Sequence, residues 1–187
     1  MSPFRAPAAQ AGVYLHFPVC AARCSYCDFA TVAGRDEEIP RYLSALRREI
    51  LAFDGGARRA ADTVYLGGGT PSRISAGQVE GVLGAVRERF DVAPDAEITI
   101  EGNPESLLPR NLEGYREAGV SRVCVGVQSL DDRVLRGVGR LHDAREAATA
   151  VRAARSAGFR SVALDLIATK VSLRSYRQRR TGLTTCT

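Results

Sequence analysis

Five short apolar runs alternate with helix-patterned segments along this chain, and that alternation restricts its fold more than any other feature. "VYLHF" (Val13–Phe17) precedes "IPRYLSALRREILAF", where Ile39, Leu43, Leu46, Ile50 and Phe53 recur at helical spacing. "TVYLG" (Thr63–Gly67) precedes "SAGQVEGVLGAVRERF", with Ser75 placed as an N-cap. "AEITIE" (Ala96–Glu101) precedes "LLPRNLEGYREAG", which stops at Gly119. "RVCVGVQ" (Arg122–Gln128) precedes "DAREAATAVRAARSAG", bounded by Asp143 and Gly158, and "SVALDLI" (Ser161–Ile167) is the fifth run. Strands alternating with helices predict an α/β fold with a parallel sheet covered by helices. Five strands are too few to close an eight-stranded barrel, so the sheet is expected to be open or incomplete.

The polar and glycine-rich stretches fall just past the strand ends: "CAARCSYCDF", "GGGTP", "EGNPES" and "GVQS". In sheets of this class the carboxyl edge is where ligands bind. The first stretch holds three of the five cysteines, at Cys20, Cys24 and Cys27. Thiolate sulfur suits an iron–sulfur cluster and zinc alike. Three thiolates on a C-x3-C-x2-C loop match three irons of a 4Fe–4S cluster, with the fourth iron open to a small molecule. Zinc would need a fourth ligand, for which His16 or Asp28 is available. His16, however, lies within a strand, where a packed or hydrogen-bonded role is the simpler expectation. Cys124 lies inside a strand and reads as an inert core thiol.

Composition narrows the function classes. The net charge of +5 sits wholly after Ile167, in Lys170, Arg174, Arg177, Arg179 and Arg180; the other 21 basic residues match the 21 acidic ones. A neutral body gives no footprint for nucleic acid. No run of about 18 apolar residues exists to span a membrane. The N-terminus lacks the apolar stretch of a secretory signal, so a cytoplasmic protein with reduced thiols is expected.

The loop "CAARCSYC", with "YLHFPVC" before it and "VYLGGGTPS", "EGNPES", "GVQS" and "GRLH" after it, resembles the radical S-adenosylmethionine (SAM) superfamily. Within it the chain is similar to the oxygen-independent coproporphyrinogen III oxidase family, over about Val13–Ile167. That resemblance implies a parallel (β/α) radical SAM barrel, here incomplete, with about five of six strands. It implies that Cys20, Cys24 and Cys27 hold a 4Fe–4S cluster whose open iron binds SAM, and that the reduced cluster cleaves SAM to a 5′-deoxyadenosyl radical. It places Tyr14, Tyr26, Gly68, Gly69, Thr70, Glu101, Gln128, Arg140 and Asp165 in the SAM site. Tyr26 falls beside the adenine, Gly68, Gly69 and Thr70 along the methionine end, and Asp165 at the ribose hydroxyls. His142 matches a recurrent family histidine, a position that helix-start packing accounts for equally well.

Position 29 separates two branches of this family. The oxidases carry a further Cys two residues after the third cluster Cys, where this chain has Phe29. That departure resembles the HemW-type heme-chaperone branch, which binds heme and delivers it to acceptor proteins. The alternative is an oxidase that oxidatively decarboxylates coproporphyrinogen III to protoporphyrinogen IX. Heme or porphyrin, a heme-acceptor protein and an electron donor are the partners implied.

Residues 168–187 depart from the rest in style, with the chain's only Lys and no acidic residue. Family members continue "DLI" with Tyr-Gly-Leu-Pro; this chain reads "DLIATKVSL". A frameshift just after Ile167 is expected, which would leave out a sixth strand and the C-terminal heme-binding region. An inactive truncated product is then a third reading. The expected organisation is a flexible segment 1–12, a partial barrel 13–167 and an aberrant tail 168–187.

Overall fold

The computed structural model describes residues 11–167. Most of the flexible segment expected at the start, the tail from residue 168 and Cys186 lie outside the described residues.

All five expected strands are present and form one parallel sheet. They are β1 (Ala11–Phe17), β4 (Ala60–Gly68), β5 (Asp91–Gly102), β6 (Arg122–Gln128) and β7 (Ser161–Leu166), hydrogen-bonded in the order β1-β4-β5-β6-β7. Every neighbouring pair is parallel. Two short strands, β2 (Val19–Cys20) and β3 (Val32–Ala33), pair with each other and close the base of the cysteine loop. Strand order following chain order is what successive β/α units give when each strand is laid beside the previous one. Among the described residues the sheet is not closed, and β7 is an edge on which Leu164 and Leu166 are exposed.

The crossover helices are α1 (Ile39–Ala52), α2 (Ala76–Arg89), α3 (Pro109–Glu117) and α5 (Ala144–Ser156), with a short α4 (Asp132–Gly137) before α5. Ser75 and Asp143 start α2 and α5 through complete capping boxes with Gln78 and Glu146. Gly119 and Gly158 follow α3 and α5 with positive φ, where the chain turns back toward the sheet.

Strand periodicity divides the sheet into two unlike faces. Leu15, Leu66, Ile100, Val123 and Val125 join the core beneath the helices, with Val79, Val82, Leu83 and Val86 of α2. The intervening residues Tyr14, Tyr65, Glu101, Cys124, Gly126 and Asp165 line a cavity on the other face. Cys124 is buried, as expected of a core thiol, and it also lies on the cavity wall.

Candidate functional site

The cavity has a volume of about 360 Å³, within the range of small-molecule and cofactor sites. Its wall takes in Tyr14, Cys20, Cys24, Tyr26, Cys27, Gly68, Gly69, Thr70, Glu101, Gln128, Arg140 and Asp165. Residues spread across most of the chain thus meet at the carboxyl ends of the strands. Phe29 and Asp28 also line it, whereas His16 and His142 do not.

The cysteine loop is held at both ends. At its base, Val32 N donates to Pro18 O at 2.9 Å and Gly34 N donates to Cys20 O at 3.0 Å. Further along, Cys27 N donates to Cys24 O at 3.1 Å, and Ser25 N donates to Val138 O at 3.2 Å, which ties the loop to the end of α4. His16 Nε2 meets Ala30 O at 2.9 Å, the hydrogen-bonded role its strand position predicts. No disulfide joins Cys20, Cys24, Cys27 or Cys124. Burial pushes the Cys20 thiol up, and the neighbouring Thr70 hydroxyl works against that rise.

Opposite the loop, Arg140 reaches in from the segment after α4. Its Nη2 donates to Asn103 Oδ1 at 2.6 Å and Gly126 O at 2.7 Å; its Nη1 lies 3.5 Å from Tyr26 Oη and 3.6 Å from Cys24 Sγ. Glu101, at the end of β5, accepts from Tyr65 Oη at 2.7 Å and Gly68 N at 3.1 Å. Burial raises the Glu101 pKa; those two donors oppose the rise, and the charge of Asp165 adds to it. Gln128 is the one non-glycine residue among the described residues with positive φ, at 66°. That backbone costs about 1–3 kcal/mol and persists where the surroundings enforce it, as at binding sites. Gln128 follows Cys124 and Gly126 along the cavity face of β6, and the β6–β7 register shifts just before it, between Val125 and Gln128.

Beside the cavity, His142 is buried and its Nε2 donates to Val127 O at 3.1 Å, while Nδ1 stands 3.4 Å from Glu105 Oε2. Burial alone would raise Glu105, but the His142 contact and the Arg140 charge outweigh it and hold the carboxyl below its usual range. A carboxyl depressed in the folded state contributes stability at neutral pH that is lost as pH falls from about 4.3 through the lowered value. Urea midpoints measured from pH 7 downward are therefore expected to drop over that window, and the drop is expected to flatten in Glu105→Gln.

Nothing in the sequence assigns Asn103, Tyr65 or Gly126, although each falls within a quoted motif or directly beside one. Their parts in the site arise from contacts between distant segments, which leave no local pattern.

The pattern of the Radical SAM superfamily matches residues 14–169. The chain belongs to the radical SAM superfamily. It is 44% identical over 162 residues to the heme chaperone HemW of Mycobacterium tuberculosis (strain H37Rv), covering 83% of this chain and 41% of that protein. With the heme chaperone HemW of Escherichia coli K12 it shares 37% identity over 160 residues, 83% of this chain and 42% of that one. Among solved structures it matches Escherichia coli HemN, a coproporphyrinogen III oxidase described as a radical SAM enzyme, with a TM-score of 0.79 and 31% identity. That match covers 88% of this chain and 38% of HemN. The chain spans about two fifths of the length of these relatives.

A radical SAM fold implies a 4Fe–4S cluster and SAM, and the residues present fit both. The three thiols of the loop open onto one cavity without a disulfide to consume them. Two buried polar atoms there lack partners: Arg140 Nε, and Thr31 Oγ1, which lies against Cys20 but makes no hydrogen bond of normal geometry. Unsatisfied buried groups of this kind point to a ligand. Among the described residues no three His, Cys, Asp or Glu side chains converge tightly enough for one mononuclear ion. A cluster, which spreads its thiolates over separate irons, makes no such demand. When bound, the cluster supplies the electron for SAM cleavage. The protein's own part is to hold both groups in a walled cavity, to satisfy their polar atoms and to limit water. No helix of the described residues is long and apolar enough to cross a membrane.

Proposed function

We propose that this chain is the cluster- and SAM-binding portion of a HemW-type heme chaperone. Cys20, Cys24 and Cys27 hold the 4Fe–4S cluster. Tyr14, Tyr26, Gly68, Gly69, Thr70, Glu101, Gln128, Arg140 and Asp165 form the SAM site. In that site Tyr26 lies beside the adenine and Asp165 accepts from the ribose hydroxyls. Glu101, below a Tyr65 hydroxyl that fixes one of its oxygens, takes a polar group of SAM with the other face of the carboxyl. Gln128 does the same from the far side of Gly126. Heme is the cargo, delivered to an acceptor protein in a cytosol that keeps the loop thiols reduced.

The observation that carries this reading is Phe29. It lines the cavity and is 47% exposed, at the position where the oxidases of the family carry a further cysteine. An exposed aromatic ring offers a flat apolar face to a porphyrin and no thiol chemistry to its propionates. The oxidase is the second reading, favoured by the likeness to HemN. A form of the protein extended through the C-terminal region that the longer relatives carry, reconstituted anaerobically with iron and sulfide, is expected to bind hemin through gel filtration with a shifted Soret band. Given coproporphyrinogen III, SAM and dithionite, that form is expected to leave the propionates intact. A vinyl-bearing product would establish the oxidase instead.

A further inference from the structure

Two of the three loop cysteines each have a polar side chain beside the sulfur, supplied by different segments. Arg140 Nη1 stands 3.6 Å from Cys24 Sγ. The Thr70 hydroxyl stands against the Cys20 thiol, its backbone fixed by Thr70 N donating to Val19 O at 3.0 Å. Between these two donors sits Asn103. Its Oδ1 accepts from Arg140 Nη2 at 2.6 Å, and its Nδ2 donates to Thr70 Oγ1 at 3.3 Å. From Arg140 the donors run one way, through Asn103 Nδ2 to Thr70 Oγ1, whose hydroxyl lies beside the Cys20 thiol.

Gly126 shows how closely this chain is fitted. It lies inside β6, where glycine packs nothing and weakens a strand. Its φ is not positive, so the backbone does not require glycine there. Space does: a Cβ at Gly126 would stand 2.9 Å from Asn103 Oδ1 and 3.2 Å from Arg140 Nη2. The missing side chain is the room occupied by the Asn103–Arg140 hydrogen bond. Asn103 is fixed from behind as well, since its N donates to the buried Ser72 Oγ at 3.3 Å.

We propose that Asn103 is a positioning residue whose amide joins the donors on Cys24 and Cys20 into one chain, Cys24–Arg140–Asn103–Thr70–Cys20, and thereby sets the reduction potential of the cluster those cysteines hold. The inference rests on the reading of the cysteines as cluster ligands. Hydrogen bonds to ligand sulfur stabilise the reduced, more negative cluster and raise its potential. An amide that orders two such donors at once acts on two irons through one residue. Asn103 adds to the hold that Gly126 O has on the guanidinium and also bonds the Thr70 hydroxyl, so one amide narrows the rotamers open to both side chains.

The test is a dithionite titration of the reconstituted cluster, followed by electron paramagnetic resonance, in wild type, Asn103→Leu, Thr70→Val and the double variant. Asn103→Leu keeps the volume and removes both hydrogen bonds. It is expected to lower the reduced-to-oxidised ratio at fixed potential by about threefold to tenfold, tenfold being 59 mV for one electron. Thr70→Val is expected to shift the same way. In the double variant the shifts are expected to add to less than their sum, because both break one chain. Gly126→Ala, which crowds the same bond while leaving every donor and acceptor group in place, is expected to lower the potential too. A merely structural role would reduce cluster content or thermal stability while leaving the midpoint of the assembled cluster unchanged. An unchanged midpoint in Asn103→Leu at wild-type iron content, or in Gly126→Ala if Asn103→Leu does not load, overturns the inference alone. Wild-type protein that takes up no cluster overturns the underlying reading and the inference with it.

Discussion

Gly69→Ala is expected to destabilise the fold by about 3 kcal/mol, the upper end of what overpacking costs, and to remove cluster uptake with it. An alanine Cβ there would lie 2.9 Å from Phe17 O and from both C and O of Pro18. All three are backbone atoms at the mouth of the cysteine loop, and none can rotate away as a side-chain tip could. The contact is also bonded: Gly69 N donates to Phe17 O at 2.6 Å, so the two strand ends cannot separate without losing that hydrogen bond. Displacing Pro18 drags Val19 and Cys20, which begin the loop. Urea denaturation should show the lowered midpoint, and iron analysis after reconstitution the lost cluster. Gly84→Ala provides the contrast. Gly84 is exposed on α2 and a Cβ there meets nothing within 4 Å. That substitution is expected to stabilise by about 0.5–1 kcal/mol through helix propensity alone. Equal effects at the two positions would show that the close approach at Gly69 does not hold the loop.

The contrast between these glycines illustrates what a sequence of this kind discloses. "GGGTP" after an apolar run marks a tight, ligand-edge turn, and the alternation of runs and helical spacing is enough to locate all five sheet strands. Caps at Ser75 and Asp143 are local devices and are legible for that reason. Other features depend on distant partners. The Arg140–Asn103 hydrogen bond joins residues 37 apart in sequence, and no periodicity announces it. Cys124 reads as core because a parallel strand gives the same apolar run whether one face or both are covered by helices. Only the sheet shows which face opens onto the cavity. The early part of β5 is hidden for another reason. Asp91 and Val92 pair with Ala60 and Ala61 ahead of Pro94, and proline inside a run argues against a strand. The six-residue α4 is too short for helical spacing to register, yet it sets Val138 and Gly139 against the cysteine loop.

Among the four described cysteines, substitution is expected to separate three from one. Cys20→Ala, Cys24→Ala and Cys27→Ala should each abolish the visible absorption and paramagnetic signal of a reconstituted cluster. A thiolate removed from a three-cysteine site leaves two ligands for a cluster that already lacks a fourth from the loop. Cys124→Ala should retain the cluster, because Cys124 is fixed in β6 opposite Glu101 and Ala163, on the sheet wall and not on the loop. The comparison matters because Cys124 shares the cavity, and proximity alone would make it a rival ligand. Its position is set by strand register, so moving its sulfur to a cluster would require breaking the β5–β6 and β6–β7 ladders. Cys24 and Cys27 face no such constraint: they flank a turn, partly exposed, and can adjust to the metal as it assembles, while Cys20 anchors the loop from β2. Retained signal in any of the three loop variants would mean that another side chain completes the site, and loss in Cys124→Ala would identify that side chain.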